Sequence, residues 1–204
     1  MTKILENIIK RYQKTNDIFV DIQNLFEKYD KTNIFEHSVN VSKKAIELAG
    51  KYNISKDKIK LASYLHDISG IIKNEDKILF AEEMNIKILH EERIFPLIIH
   101  QKLSKEIAQR VFSVNDYEIL NAISCHTTLN GNPSVFDMVL FIADKIKWDQ
   151  QEKPPYLDIV EDNLKISLEK GVWAFIKYTM ENKNNLKVIH PWLKEAYEYF
   201  SKYY

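Results

Sequence analysis

The sequence predicts an all-α fold, and three observations carry that prediction. Glycine and proline are scarce, 4 and 5 residues in 204, so strand-ending turns have little to be built from. No segment alternates apolar and polar residues between turn pairs, as a half-buried strand does. Apolar residues instead recur three and four positions apart, which places them on one face of a helix.

Taken in order, residues 2–14 and 17–28 read as two short helices. Ile4, Leu5, Ile8, Ile9 and Tyr12 form the apolar stripe of the first, which suits packing against the body better than a membrane surface. Further helices are expected near 34–51, 55–69, 74–84, 103–113, 115–128 and 134–147. Ser55 and Ser134 have the side chain and the position of N-caps. Within 55–69, Lys58, Leu61, Ala62 and Leu65 share a face, and Gly70 fits a left-handed cap at its end. Asn130-Gly131-Asn132-Pro133 marks a turn, and residues 149–155 make a polar loop. Two helices follow near 156–182, and a last one starts at Pro191, a favoured first helical position. His190 reads as its entry residue. The aromatic tail, Tyr197, Tyr199, Phe200, Tyr203 and Tyr204, suits either a homodimer seam or packing at home. With no repeat, low-complexity tract or linker, one domain spanning 1–204 is expected.

Composition excludes several classes. Apolar residues make up 45% and charged residues 28%, the range of a globular protein. Lysine plus arginine equal aspartate plus glutamate at 29 each, so no net field draws in nucleic acid or an anionic membrane. The single cysteine, Cys125, excludes an intramolecular disulfide and a thiolate zinc cluster. No apolar stretch reaches bilayer length, and residues 1–12 lack the apolar region of a signal peptide. The expectation is a reduced, cytoplasmic protein.

The residues that carry chemistry are few and ordered. His66-Asp67 ends the apolar run Leu61-Ala62-Ser63-Tyr64-Leu65. As neighbours on a helix the two would point about 100° apart, so a shared site would lie in the wedge between them. A carboxylate suits that wedge because each of its oxygens can take a different metal ion. His37 stands upstream in Phe35-Glu36-His37-Ser38. Downstream come His100 after Pro96-Leu97-Ile98-Ile99, His126 in Ser124-Cys125-His126-Thr127-Thr128, and Asp144 in Ile142-Ala143-Asp144-Lys145. Imidazoles and carboxylates without sulfur favour first-row ions such as iron or manganese. His90 heads the run His90-Glu91-Glu92-Arg93, which reads as a solvated face. His100 ends an apolar segment that should carry it into the core, so it is preferred. Cys125 reads as a small buried hydrophobe rather than a nucleophile. A ferritin-like di-iron site would need Glu-x-x-His pairs, and the sequence has none.

This order over positions 34–148 resembles that of the HD phosphohydrolase superfamily. More closely it is similar to the YqeK-type hydrolases, which cleave diadenosine tetraphosphate symmetrically at a binuclear iron site. The resemblance implies an HD-type helical bundle with its metal-site core at about 34–148. Helices within 1–30 and 156–204 would pack on that core. It also implies two divalent ions, iron or alternatively manganese. His37, His66, Asp67 and Asp144 would hold one, and Asp67 would bridge to a second held by His100 and His126. Two such ions can share and acidify a water and clamp both ends of an in-line phosphoryl displacement. Catalysis would then rest on Asp67, His66, His100 and His126, with Thr127, Thr128, Lys145, Lys147 and Trp148 contacting substrate.

The implied partner is a nucleotide or dinucleoside polyphosphate, cleaved in the tetraphosphate case to two ADP. Two positions depart from the family pattern. Gly70 stands where a lysine commonly follows the His-Asp pair, and Lys145-Ile146-Lys147-Trp148-Asp149-Gln150 replaces a segment that commonly runs through proline to arginine. Both departures fall on substrate-contacting positions, so a related phosphohydrolase of another nucleotide or phosphoester is the alternative. From a different class, a non-catalytic nucleotide-sensing module would keep the same ligands.

Overall fold

The structure is a computed structural model that describes residues 2–147 and 152–204. Among these there are twelve α-helices, four short 3-10 turns and no strand. The helices are α1 (Lys3–Arg11), α2 (Ile18–Lys28), α3 (Thr32–Tyr52), α4 (Lys56–Leu65), α5 (Lys77–Glu83), α6 (His90–Ile94), α7 (His100–Arg110), α8 (Tyr117–Cys125), α9 (Val135–Ile146), α10 (Leu157–Leu164), α11 (Leu168–Glu181) and α12 (Pro191–Phe200). The all-α prediction stands.

Local chemistry explains most of the helix ends. Ser55 accepts from Lys58 N, and Ser134 forms a reciprocal capping box with Asp137, as a short oxygen side chain before a helix should. Asn53 closes α3 in the left-handed region at φ 52°. The long helix α3 buries Ser38, Val41, Ser42, Ala45, Leu48 and Ala49, a stripe of helical period whose small residues let its neighbours approach closely. It packs on α4 and α9, while α7 packs on α8, α8 on α9, and α11 on α9, α10 and α12. Every residue of α9 from Phe136 to Ala143 is buried, so this helix lies inside the bundle rather than on it. Its one buried carboxylate there, Asp137, is satisfied by Asn121 Nδ2 and Ser134 N.

The terminal helices dock on this centre. Leu5 and Ile8 of α1 are buried, and Tyr12 packs edge-on to Phe112 and donates to Asp21. In the tail, Phe200 is buried and Tyr197 packs on Trp173, while Tyr203 and Tyr204 are exposed. No helix of the described residues is long and apolar enough to cross a membrane.

Four expectations need correction. The helix expected over 55–69 ends at Leu65; Asp67 leaves it at φ −110°, ψ 17°, and a 3-10 turn runs Ile68–Ile71. Gly70 has no positive φ, so it is no left-handed cap. It packs beside the tip of the Ile34 side chain, which a Cβ there would have to displace. The helix expected at 103–113 begins at His100 and ends at Arg110, because the 3-10 turn Pro96–Ile99 runs straight into it. The charged run at His90 is not all solvated: it forms α6, and Glu92 is fully buried.

Candidate metal centre

Four helical segments deliver the histidines. His66 and His126 are the C-cap residues of α4 and α8, and His100 comes directly after the 3-10 turn Pro96–Ile99. Three of the rings accordingly bond a backbone carbonyl three residues before them. Nδ1 of His66 donates to Ser63 O at 2.7 Å, of His100 to Leu97 O at 2.8 Å, and of His126 to Ile123 O at 2.8 Å. With Nδ1 committed to a carbonyl, each Nε2 is turned inward, the orientation of a metal-ligating histidine. His37, within α3, brings its Nε2 to the same place.

The two carboxylates complete the cluster. Asp67 Oδ1 lies 3.1 Å from His100 Nε2 and 3.3 Å from His126 Nε2. Its other oxygen, Oδ2, lies 3.4 Å from His66 Nε2 and 3.9 Å from His37 Nε2. The side chain thus faces two separate donor groups, His37–His66 on one side and His100–His126 on the other. Asp144 Oδ1 adds to the first, 3.0 Å from His37 Nε2 and 3.5 Å from His66 Nε2, while its Oδ2 is paired with Lys145 Nζ at 2.7 Å.

Two observations show that this donor set fits cations. His66 Nε2 is buried and makes no hydrogen bond of acceptable geometry, a costly condition for a polar atom. The Nε2 atoms of His100 and His126 face each other at 3.0 Å, although neither neutral ring has a proton to give there. A cation held by these Nε2 atoms resolves both conditions. Burial pushes His66 down, but Asp67 and Asp144 outweigh it and raise the ring to about 10. Burial dominates at His126, lowering it to about 4 with Asp67 opposing. Both carboxyl groups stay well below the usual range, because the surrounding histidines, and Lys145 at Asp144, overcome their burial.

A hydroxyl chain fixes the turn that carries Asp67. Ser104 Oγ donates to Ser69 Oγ at 2.9 Å, Ser69 Oγ donates to His100 O at 2.8 Å, and Ser69 N donates to Ser104 Oγ at 3.2 Å. The centre opens into a cleft of about 710 Å³ lined by Lys31, Lys73, Lys77 and Lys145 among others. Nothing local in the sequence points to Lys77. Its Nζ reaches back to Ile72 O at 2.9 Å and Ser69 O at 3.4 Å. Burial lowers it to about 8, with Asp67 pulling the other way. An ammonium is therefore held on the turn where Gly70 brings none. Only the three-dimensional approach of α5 reveals this; position 77 reads locally as the charged start of a helix.

The remaining candidate residues divide. Thr127 Oγ1 lies 3.1 Å from His100 Nε2. The Thr128 hydroxyl is buried and bonded to Gln101 and Leu129 O. Gln101, fully buried, also takes Thr127 N, a support that no motif in the sequence signals. Lys147 is the C-cap of α9 and does not line the cleft. Trp148 lies outside the described residues. Cys125 is buried, which pushes its thiol well above the ordinary range. His90 is exposed and stands outside the cluster.

A helical bundle that brings histidines and aspartates together in this order has the arrangement of an HD-type hydrolase. The chain matches the HD domain family over residues 34–149 and belongs to it. It is 43% identical over 143 residues to an uncharacterized protein in the pepC 5′ region of Lactococcus lactis subsp. cremoris, covering 70% of this chain and 72% of that one. It is 28% identical over 146 residues to the symmetrical bis(5′-nucleosyl)-tetraphosphatase of Bacillus subtilis, covering 71% and 76%. Among solved structures it is similar to a protein from Clostridium acetobutylicum described as a predicted HD superfamily hydrolase involved in NAD metabolism. That fold agrees with a TM-score of 0.80 at 23% identity, over 93% of this chain and 98% of the other.

Proposed function

We propose that this chain is a metal-dependent phosphohydrolase that cleaves diadenosine tetraphosphate symmetrically into two molecules of ADP. The observation that carries the reading is Asp67, whose two oxygens face two different histidine pairs. His37, His66 and Asp144 with Oδ2 of Asp67 would hold one divalent ion, and His100 and His126 with Oδ1 would hold a second. Iron is the expected ion and manganese the alternative. When bound, such ions polarise a phosphoryl group and acidify a water.

The chain's own residues prepare the site for that chemistry. Nδ1 contacts to backbone carbonyls hold three rings with Nε2 turned inward. Lys31, Lys73, Lys77 and Lys145 along the cleft offset the charge of a polyphosphate, and a fixed cation stabilises charge developing in the transition state. Thr127, beside His100, is placed to donate its hydroxyl to a phosphate oxygen. Relatives in Bacillus subtilis and Staphylococcus aureus, at 28% and 29% identity, are named symmetrical bis(5′-nucleosyl)-tetraphosphatases, which supports this choice of substrate.

A second reading, an HD phosphohydrolase of another nucleotide, is favoured by the turn at Gly70. There the glycine brings no side chain, and a cation comes from Lys77 instead. Product analysis tests the proposal. Metal-loaded protein given diadenosine tetraphosphate should yield ADP as the sole nucleotide product. Equal AMP and ATP, or brisk mononucleotide hydrolysis without dinucleotide turnover, would overturn it.

A further inference from the structure

A second pocket, of about 530 Å³, lies beyond Lys145 and Thr127, both of which line it. Most of its wall is built from residues C-terminal to the matched family segment. Tyr156, Phe175 and Tyr178 form an aromatic cluster, with Tyr156 edge-on to Phe175 at 4.8 Å and 5.9 Å from Tyr178. Leu186 and Val188 add aliphatic surface. The size suits a nucleoside, since small-molecule sites run from about 300 to 1,000 Å³. Phe175 and Tyr178 are half-buried on this wall, and aromatic rings are surfaces on which bases stack.

Two residues of the pocket wall border the metal centre. Thr127, on its edge, has its hydroxyl 3.1 Å from His100 Nε2. Lys145, shared with the metal-centre cleft, pairs with Asp144 at 2.7 Å and lies over the Phe175 ring at 6.0 Å. Lys187 also lines the pocket, as do Glu152 and Lys153, the latter paired with Asp158. An aromatic wall thus lies beside a lysine and a threonine that border the histidines. Two polar side chains on the wall have acceptor capacity: Thr179 Oγ1, which donates to Phe175 O, and Asn182, which donates its Nδ2 to Tyr178 O. Both suit an exocyclic amine.

We propose that this pocket binds the purine base of a phosphate-linked nucleoside, its phosphate chain running past Thr127 and Lys145 to the His–Asp centre. The course of the phosphate chain rests on the phosphohydrolase reading, but the base pocket is tested separately, with adenosine alone. Calorimetric titration of adenosine into metal-free protein should show saturable binding. Tyr178→Ala should weaken it about tenfold or more, the scale of one lost stacking contact, and Val188→Trp should abolish it by filling the pocket. In case either variant fails to fold, photolabelling of wild-type protein with 8-azidoadenosine should place the adduct between Tyr156 and Val188. Adenosine that does not bind, binds both folded variants as it binds wild type, or labels another region would overturn the proposal. Saturable adenosine binding without dinucleotide turnover would sink the substrate assignment alone. ADP formation with no adenosine site would sink the pocket alone.

Discussion

His66, His100 and His126 share one device: each ring spends its Nδ1 proton on the carbonyl three residues before it. Ligand geometry is thereby set by helix ends rather than by distant contacts. His100 owes its place to Pro96–Ile99, whereas His90 sits exposed at the start of α6. His100→Ala should therefore lose one metal ion and turnover by about 100-fold or more, and His90→Ala should stay within about a few-fold of wild type. Metal content and rate measured together check this, and the opposite ranking would reassign the second ion. The same residues predict a pH dependence. With His66 raised to about 10, the metal-free cluster holds a proton there at neutral pH. Its contribution to stability is full below the ordinary 6.5 and is lost as pH rises through about 10. Ligation needs that lone pair, so metal binding between about pH 7 and 9 should release about one proton, with apparent affinity rising with pH. Calorimetry in buffers of different ionisation enthalpy measures the release; binding with no proton released would contradict it.

Between elements, the decisive contact is the hydroxyl chain that ties the turn Ile68–Ile71 to α7. Ser104→Val would leave Ser69 N buried without an acceptor, at a cost of about 1–3 kcal/mol, and would free Asp67 and His100 to move relative to each other. A lower unfolding midpoint together with weaker metal retention is the expected outcome; unchanged metal retention would show that the chain only stabilises the fold. Helix identities and the Ser55 and Ser134 caps were legible in the sequence because period and cap chemistry are local. The convergence of His37, His66, Asp67, His100, His126 and Asp144 was legible through their order and not through any single spacing. What escaped was long-range pairing. Glu92 is buried because Lys102 meets it at 2.8 Å and His190 at 3.3 Å, and no local pattern announces either partner. His190 is the entry residue of α12, accepting from Trp192 N, and it also ties that helix to α6. Gly70 is no cap because α4 has already ended at Leu65 and Gly70 lies within the turn Ile68–Ile71.

Across the molecule, the cluster joins parts of the chain far apart in sequence. His37 on α3 and Asp144 on α9 meet across 107 positions, and α9 itself is surrounded by buried apolar contacts from the bundle. Ions bound there hold α3, α4, α7, α8 and α9 together only in the folded state, so they stabilise it by mass action. Removing them with a chelator should lower the Tm by about 5–10 °C when the ion had been present at about 100 times its Kd. An unchanged Tm after verified metal removal would mean that the donor groups are held by the bundle alone.

The central claim is that Asp67 joins two metal sites, and counting ions tests it most directly. Anaerobically purified wild-type protein, assayed by elemental analysis, should carry about two first-row ions per chain. Asp67→Ala should carry none, and His126→Ala should mainly lose the second. Wild-type protein that never holds more than one ion, or an Asp67→Ala variant that keeps both, would contradict the account.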